Sequence, residues 1–158
     1  MIASLKPKGA ILSACREYRY ALWRQWNSGP IAMFIGVNPS TADETQDDPT
    51  IRRCVEFAKS WGCGTLYMGN LFAYRATLPS VMRAHPNPVG PFNDDHLKSL
   101  AKSARVVVAA WGTNGSHKGR DKEVRAILPK LSYLRLTKDG HPSHPLYLPK
   151  DLKPVAWA

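Results

Sequence analysis

The chain has 158 residues, the length of one ordinary domain, and 44% of them are hydrophobic, enough to bury a core and to exclude disorder as a description of the whole. Twenty-two Lys and Arg against twelve Asp and Glu leave a formal charge of +10, which makes a polyanion, and nucleic acid first, the partner to test. Cys15, Cys54 and Cys63 are too few and too scattered for a disulfide framework or a four-cysteine metal cluster. The start MIASLKPKGAILSACREY lacks a stretch of signal-peptide length, and no run approaches the roughly 18 apolar residues of a membrane span. The expectation is a soluble, cytoplasmic protein, one domain over residues 1–158 with residues 1–29 as an N-terminal extension or edge element, and no membrane or obligate protein partner.

In chain order, Glu17 to Trp26 comes first, carrying Tyr18, Tyr20, Trp23 and Trp26. It alternates poorly and reads as an added edge strand, or as a strand leading into a turn at Asn27-Ser28-Gly29-Pro30. Four short runs rich in Val, Ile, Leu and aromatics read as buried strands: Ile31 to Val37, Thr65 to Leu71, Arg105 to Trp111 and Tyr133 to Leu136. Between the first two, Pro49 to Trp61 places Ile51, Cys54, Val55, Phe57 and Ala58 at helical spacing, with Gly62 as a stop. Three prolines and a glycine make His85 to Pro91 a loop. Asn93 or Asp94 then caps a second helix carrying Leu97, Leu100 and Ala101, and Arg120 to about Leu128 forms a third, with Val124, Ile127 and Leu128 on one face. Strands alternating with helices predict an α/β protein, a three-layer α/β/α sandwich around a four-stranded parallel sheet.

In such sheets ligands bind beyond the carboxyl ends of the strands. That rule selects the loops Gly36 to Thr41, Gly69 to Arg75, Trp111 to Ser116 and Gly140 to Tyr147, all dense in Gly, Pro and hydrogen-bonding side chains. Any one of them alone is an ordinary strand ending. Four on one rim point to a site. Asp43, Glu44, Asp47 and Asp48 form an acidic loop without the His or Cys spacing of a metal centre, so no metal is expected, although one of these carboxylates is available to face a developing cation. GTNGSHKG lacks the lysine spacing of a triphosphate loop, and no cofactor is expected. It does place Ser116, His117, Lys118 and Arg120 where backbone phosphates lie, or else forms an ordinary basic surface loop.

The strand followed by GVNPS (Gly36 to Ser40) resembles the first motif of the uracil-DNA glycosylase superfamily, in the GINPG form of its mismatch-specific branch. HPSHPL (His141 to Leu146) is similar to that superfamily's HPSPLS motif, and YMGNLFAYRA (Tyr67 to Ala76) to the segment in which an Asn reads a base edge. The chain also resembles a small bacterial and phage family with a GVNPSTAD signature. The resemblance implies a uracil-DNA glycosylase-like fold and hydrolysis of the N-glycosidic bond of a base flipped out of DNA. On that implication Asn38 orients the water, His141 donates to the departing base, and Gly36, Val37, Ser40, Asn70 and Phe72 contact the base. Leu146 and Tyr147 fill the vacated stack, and Arg52, Arg53, Arg75, Lys118, Ser143 and Lys150 hold the DNA. The chain departs from the uracil-specific enzymes, which have Asp at the position of Asn38 and a Tyr at that of Ser40. A small Ser40 opens the pyrimidine 5-position, so a modified pyrimidine is the expected substrate, a bulky 5-substituted base of phage DNA among the candidates, with antiviral defence as the context. Two other classes remain open: a non-catalytic nucleic-acid binder of the same fold, and a nucleoside or nucleotide hydrolase, which the charge of +10 disfavours.

Overall fold

The computed structural model describes residues 6–158. The four expected strands form: β3 (Ile31–Gly36), β4 (Thr65–Asn70), β5 (Val106–Ala109) and β6 (Ser132–Tyr133). They lie side by side in the order β4-β3-β5-β6, each parallel to its neighbour. The sheet they belong to is larger and mixed. β1 (Lys8–Leu12) and β2 (Arg19–Gln25) add to the β4 side and β7 (Val155–Ala156) to the β6 side, all antiparallel, giving seven strands in the order β1-β2-β4-β3-β5-β6-β7.

A four-stranded, wholly parallel sheet is therefore corrected, and the reason lies in β2. Ala21 and Trp23 enter the core on one face of the sheet and Leu22 the core on the other, so the strand is covered on both sides and shows no alternation to read. β1 pairs along its outer side, which makes β2 an interior strand and not an edge. Of the extension expected over residues 1–29, the first five lie outside the described residues. The fourth strand is shorter than Tyr133 to Leu136, because the chain turns away after Tyr133 and Leu136 instead bridges Pro142.

Helices cover both faces. α1 (Pro49–Ser60) packs Ile51, Cys54 and Phe57 against Phe34, Leu66, Met68 and Val108. α2 (Pro79–Ala84), α3 (Asn93–Ser103) and α4 (Arg120–Ile127) send Met82, Leu97, Leu100 and Val124 to the opposite face, where Met33, Ile35 and Tyr67 point. Each fully buried Leu, Ile, Phe or Met contributes about 1.5–3 kcal/mol, so these two apolar layers fix the strands against which the rim loops are built. α1 starts where Asp48 accepts from Ile51 N at 2.9 Å, an N-cap followed by Pro49. α3 departs from the expected cap: Phe92 occupies that position without a side-chain bond, and Asn93 is fully buried. Among the described residues no helix is long and apolar enough to cross a membrane.

The parallel strands all end on one rim. An antiparallel neighbour begins there, so β2 delivers its first residue, Arg19, beside the end of β4; Arg19 N donates to Ala73 O at 2.9 Å.

Candidate functional site

The loop leaving β3 is stitched to the loop leaving β4. Leu71 N donates to Gly36 O, Phe72 N to Val37 O and Ala76 N to Pro39 O, each at 2.9 Å. Asn38 adds a side-chain tie: its Nδ2 donates to Ala76 O at 2.8 Å and to Pro39 O at 3.1 Å. Carbonyl oxygens only accept, so this pair of partners fixes which way the amide faces and leaves Oδ1 of Asn38 as an acceptor.

Asn70, the last residue of β4, is locked the opposite way. It is buried, and its Oδ1 accepts from Nη2 of Arg19 at 3.2 Å. A guanidinium carries no acceptor, so Oδ1 faces Arg19 and Nδ2 is left as a donor. That nitrogen lies over Gly36, where a Cβ would sit 2.9 Å from it, so a larger residue would press on the Asn70 amide. The main chain below is held by the buried Asn93, whose Nδ2 donates to Asn70 O and Leu71 O, both at 2.9 Å.

Arg19 is 2% exposed; Nη1 donates to Ala42 O at 3.0 Å, and Nε is buried without a partner. Burial lowers its pKa to about 10, Asp48 pulling the other way, so it remains a cation at neutral pH. Asp48 accepts from Ala42 N with its second oxygen at 3.4 Å. His144 caps the turn Pro145–Tyr147 by accepting from Leu146 N at Nδ1, 3.2 Å away. That bond requires the lone pair at Nδ1, so neutral His144 carries its proton at Nε2. Burial pushes its pKa below the ordinary value, with Asp48 opposing, which favours this neutral donor form.

These groups line one cavity of about 50 Å³: Arg19, Asn38, Ser40, Asp48, Asn70 and His144, with Gly36, Val37 and Met68 among the rest of the wall. Its walls bring together acceptors, Asn38 Oδ1 and the Asp48 carboxylate, and donors, Asn70 Nδ2, His144 Nε2 and the Arg19 guanidinium, with the Ser40 hydroxyl able to do either. Ser40 also belongs to a wider depression of about 370 Å³ lined by Arg16, Tyr74 and Arg75.

Gly36, Val37, Asn38, Ser40 and Asn70 are thus brought together as the sequence suggested. Phe72 is fully buried, packed near the His117 ring at 5.6 Å between centroids, and lies outside the cavity wall. His141 is also outside it, in a turn where its N donates to Thr137 Oγ1 at 3.1 Å and its O accepts from Thr137 N at 2.7 Å. His144, three residues on in the same motif, takes the wall position. Ser143 is half-buried, its N donating to Arg135 O at 2.8 Å. Arg53 does structural work: Nε donates to Pro145 O at 3.4 Å and Nη2 to Leu148 O, tying the His144 segment to α1. Arg75 spans Arg16 O at 3.3 Å and Thr41 O at 3.4 Å. Arg52, Lys118 and Lys150 are exposed. So are Leu146 (38%) and Tyr147 (83%), while Leu148 enters the core. Arg19 was missed altogether. The signal for it was a charged residue at the head of the apolar and aromatic stretch Tyr20 to Trp23, although Arg24 closes that stretch in the same way.

The α/β fold and this rim cavity are the setting for a family match. The chain belongs to the family described as "Protein of unknown function (DUF1643)", which matches residues 19–146. The match begins at Arg19 and extends past His144, so it contains every wall residue named above. No curated protein and no solved structure matches the chain.

Proposed function

We propose that the protein is a monofunctional DNA glycosylase of uracil-DNA glycosylase-like fold, hydrolysing the bond between deoxyribose and a flipped-out, modified pyrimidine. The observation that carries this reading is the opposite locking of two asparagines in one cavity, Asn38 as acceptor and Asn70 as donor. Glycosidic hydrolysis needs that division. Positive charge grows on the sugar and negative charge on the departing base, so acceptors belong beside the sugar and its water, donors beside the base. Asn38 Oδ1 orients the water, the Asp48 carboxylate faces the sugar cation, and Asn70 Nδ2 and His144 Nε2 donate to the base. The donor role expected of His141 passes to His144. The C1′–N bond breaks with its electron pair on the base, water oxygen bonds to C1′, and the water's proton ends on the base.

Three further features support the reading. The charge of +10 suits DNA. Exposed Leu146 and Tyr147 follow His144 and Pro145, where a wedge can refill the stack behind a flipped base. Ser40 connects the cavity wall to the wider depression, leaving space for a bulky 5-substituent of the kind phage DNA carries. At about 50 Å³ the cavity is far below the roughly 300 Å³ of ordinary ligand pockets, so admitting a base requires its wall to open.

The test is incubation with duplexes carrying a panel of 5-substituted uracils and cytosines, followed by alkali cleavage at abasic sites and mass spectrometry of released base. Release of a modified base by the wild type but not by Asn38→Ala supports the reading. Tight DNA binding with no base released from any substrate replaces it with a non-catalytic binder.

A further inference from the structure

Three arginines are almost fully buried, and two are neutralised. Arg24 pairs with Asp47 at 2.7 Å and donates to four backbone carbonyls. Arg120 pairs with Asp94 at 2.6 Å and Glu123 at 3.2 Å and donates to Leu71 O. Arg19 is as buried as Arg120, yet among the described residues it makes no ion pair, and its Nε has no partner. A buried cation without a paired carboxylate is costly, and the attraction of nearby Asp48 offsets only part of that cost. Arg19 is also a wall residue of the cavity, in contact with the amide of Asn70.

We propose that Arg19 is a positioning residue that holds Asn70 as a donor and directs its own charge, bound in no ion pair, through that amide, at the anion forming on the leaving base. This rests on the glycosylase reading above. The polarity follows from the bond itself: with Oδ1 drawn to the guanidinium, the Asn70 N–H is a stronger donor, and it cannot rotate to present oxygen. The ligand class is therefore a ring whose edge offers Asn70 an acceptor, a carbonyl oxygen or an unprotonated ring nitrogen, on which charge accumulates as the C1′–N electron pair moves to the base. A ring with a donor at that place leaves two N–H groups opposed and is rejected.

The experiment compares wild type with Arg19→Met, which keeps length and removes charge and donors, and with Arg19→Lys, which keeps the charge. Single-turnover release is measured on duplexes in one sequence context, carrying excised pyrimidines graded in N1 acidity by their 5-substituents. Arg19→Met is expected to slow release roughly 10- to 100-fold with little change in affinity for DNA, and to slow poor leaving groups more than good ones. Arg19→Lys is expected to keep the wild-type dependence on leaving-group acidity, which also decides the matter if Arg19→Met does not fold. A uniform loss across the series, or a steeper dependence in Arg19→Lys, overturns the proposal. If the wild type releases no base, the glycosylase reading falls, and the Asn70 side-chain amide resonances of nitrogen-15-labelled protein decide for Arg19. Signals shifted in Arg19→Met relative to wild type sustain its hold on the amide; identical signals overturn it.

Discussion

On the proposed resemblance, replacing Asn38 by Asp would give the chain the residue that the uracil-specific enzymes carry in the similar motif, and a gain in rate is the naive expectation. The geometry predicts a loss. Nδ2 of Asn38 donates to Ala76 O at 2.8 Å and Pro39 O at 3.1 Å, and a carboxylate has nothing to donate. Pro39 O keeps its bond from Ala76 N, so the cost falls mainly on Ala76 O, now facing a negative oxygen. One lost hydrogen bond of about 1 kcal/mol, with an unpaired acceptor costing about 1–3 kcal/mol, predicts destabilisation of about 2–4 kcal/mol at neutral pH. Protonation of the new carboxyl restores one donor, so the difference should shrink as pH falls toward about 4. Urea unfolding at several pH values, with single-turnover excision beside it, checks both statements. Asn38→Asp that is as stable as wild type at pH 7, or that cuts faster, would refute the assignment of the amide as a loop tie with its oxygen free.

Asp48→Asn should separate capping from charge: asparagine caps nearly as well, so stability should fall by only about 1 kcal/mol while excision falls roughly 100-fold or more, whereas Asp48→Ala should lose both; equal activity of Asp48→Asn and wild type would exclude the carboxylate from the reaction. In the proposed reaction His144 acts as the neutral donor, and burial holds its pKa below 6.5. Excision and the stability contributed by neutral His144 should therefore be intact above about pH 6.5 and fall as pH drops through the lower folded value. The pH–rate profile of wild type against His144→Gln checks this, the acid limb vanishing with the imidazole if the assignment holds. Leu146→Ala should slow excision from duplex much more than from single-stranded DNA, since only duplex has a stack to refill; equal losses on both would leave Leu146 without the wedge role.

The parallel strands, α1, α3 and α4 were legible because each carries an apolar run or a helical stripe that one buried face imposes. β2 was not, because both of its faces are covered and alternation disappears. β1 and β7 are short and lack a run of their own; they exist by pairing to a neighbour, which is tertiary information. In the site, Asn38 and Asn70 were legible from motif position. Which atom each presents was not, since that depends on Ala76 O and on Arg19, partners 38 and 51 residues away. Asn93 looked like a helix cap for the same reason: Asn is an ordinary capping residue, and only the fold shows its amide spent on Asn70 O and Leu71 O. His141 and His144 are indistinguishable by type, and the choice between them is made by the turn at Pro145 that needs an acceptor at Leu146 N.

The long-range bonds that orient the two asparagines have a consequence for when the site exists. An asparagine amide in a loosened chain rotates about its χ2 bond and shows either atom to a ligand, so partial opening scrambles donor and acceptor before the chain unfolds. Fraying at the first residue of β2 breaks the Arg19–Asn70 bond and frees the Asn70 amide, and opening the stitch between the loops after β3 and β4 frees that of Asn38. Neither event need disturb the apolar layers that dominate global stability. The cavity's polarity is thus a property of the coldest, most ordered part of the ensemble, and loss of the site on heating is expected to begin at these two contacts, ahead of the melting of the sheet.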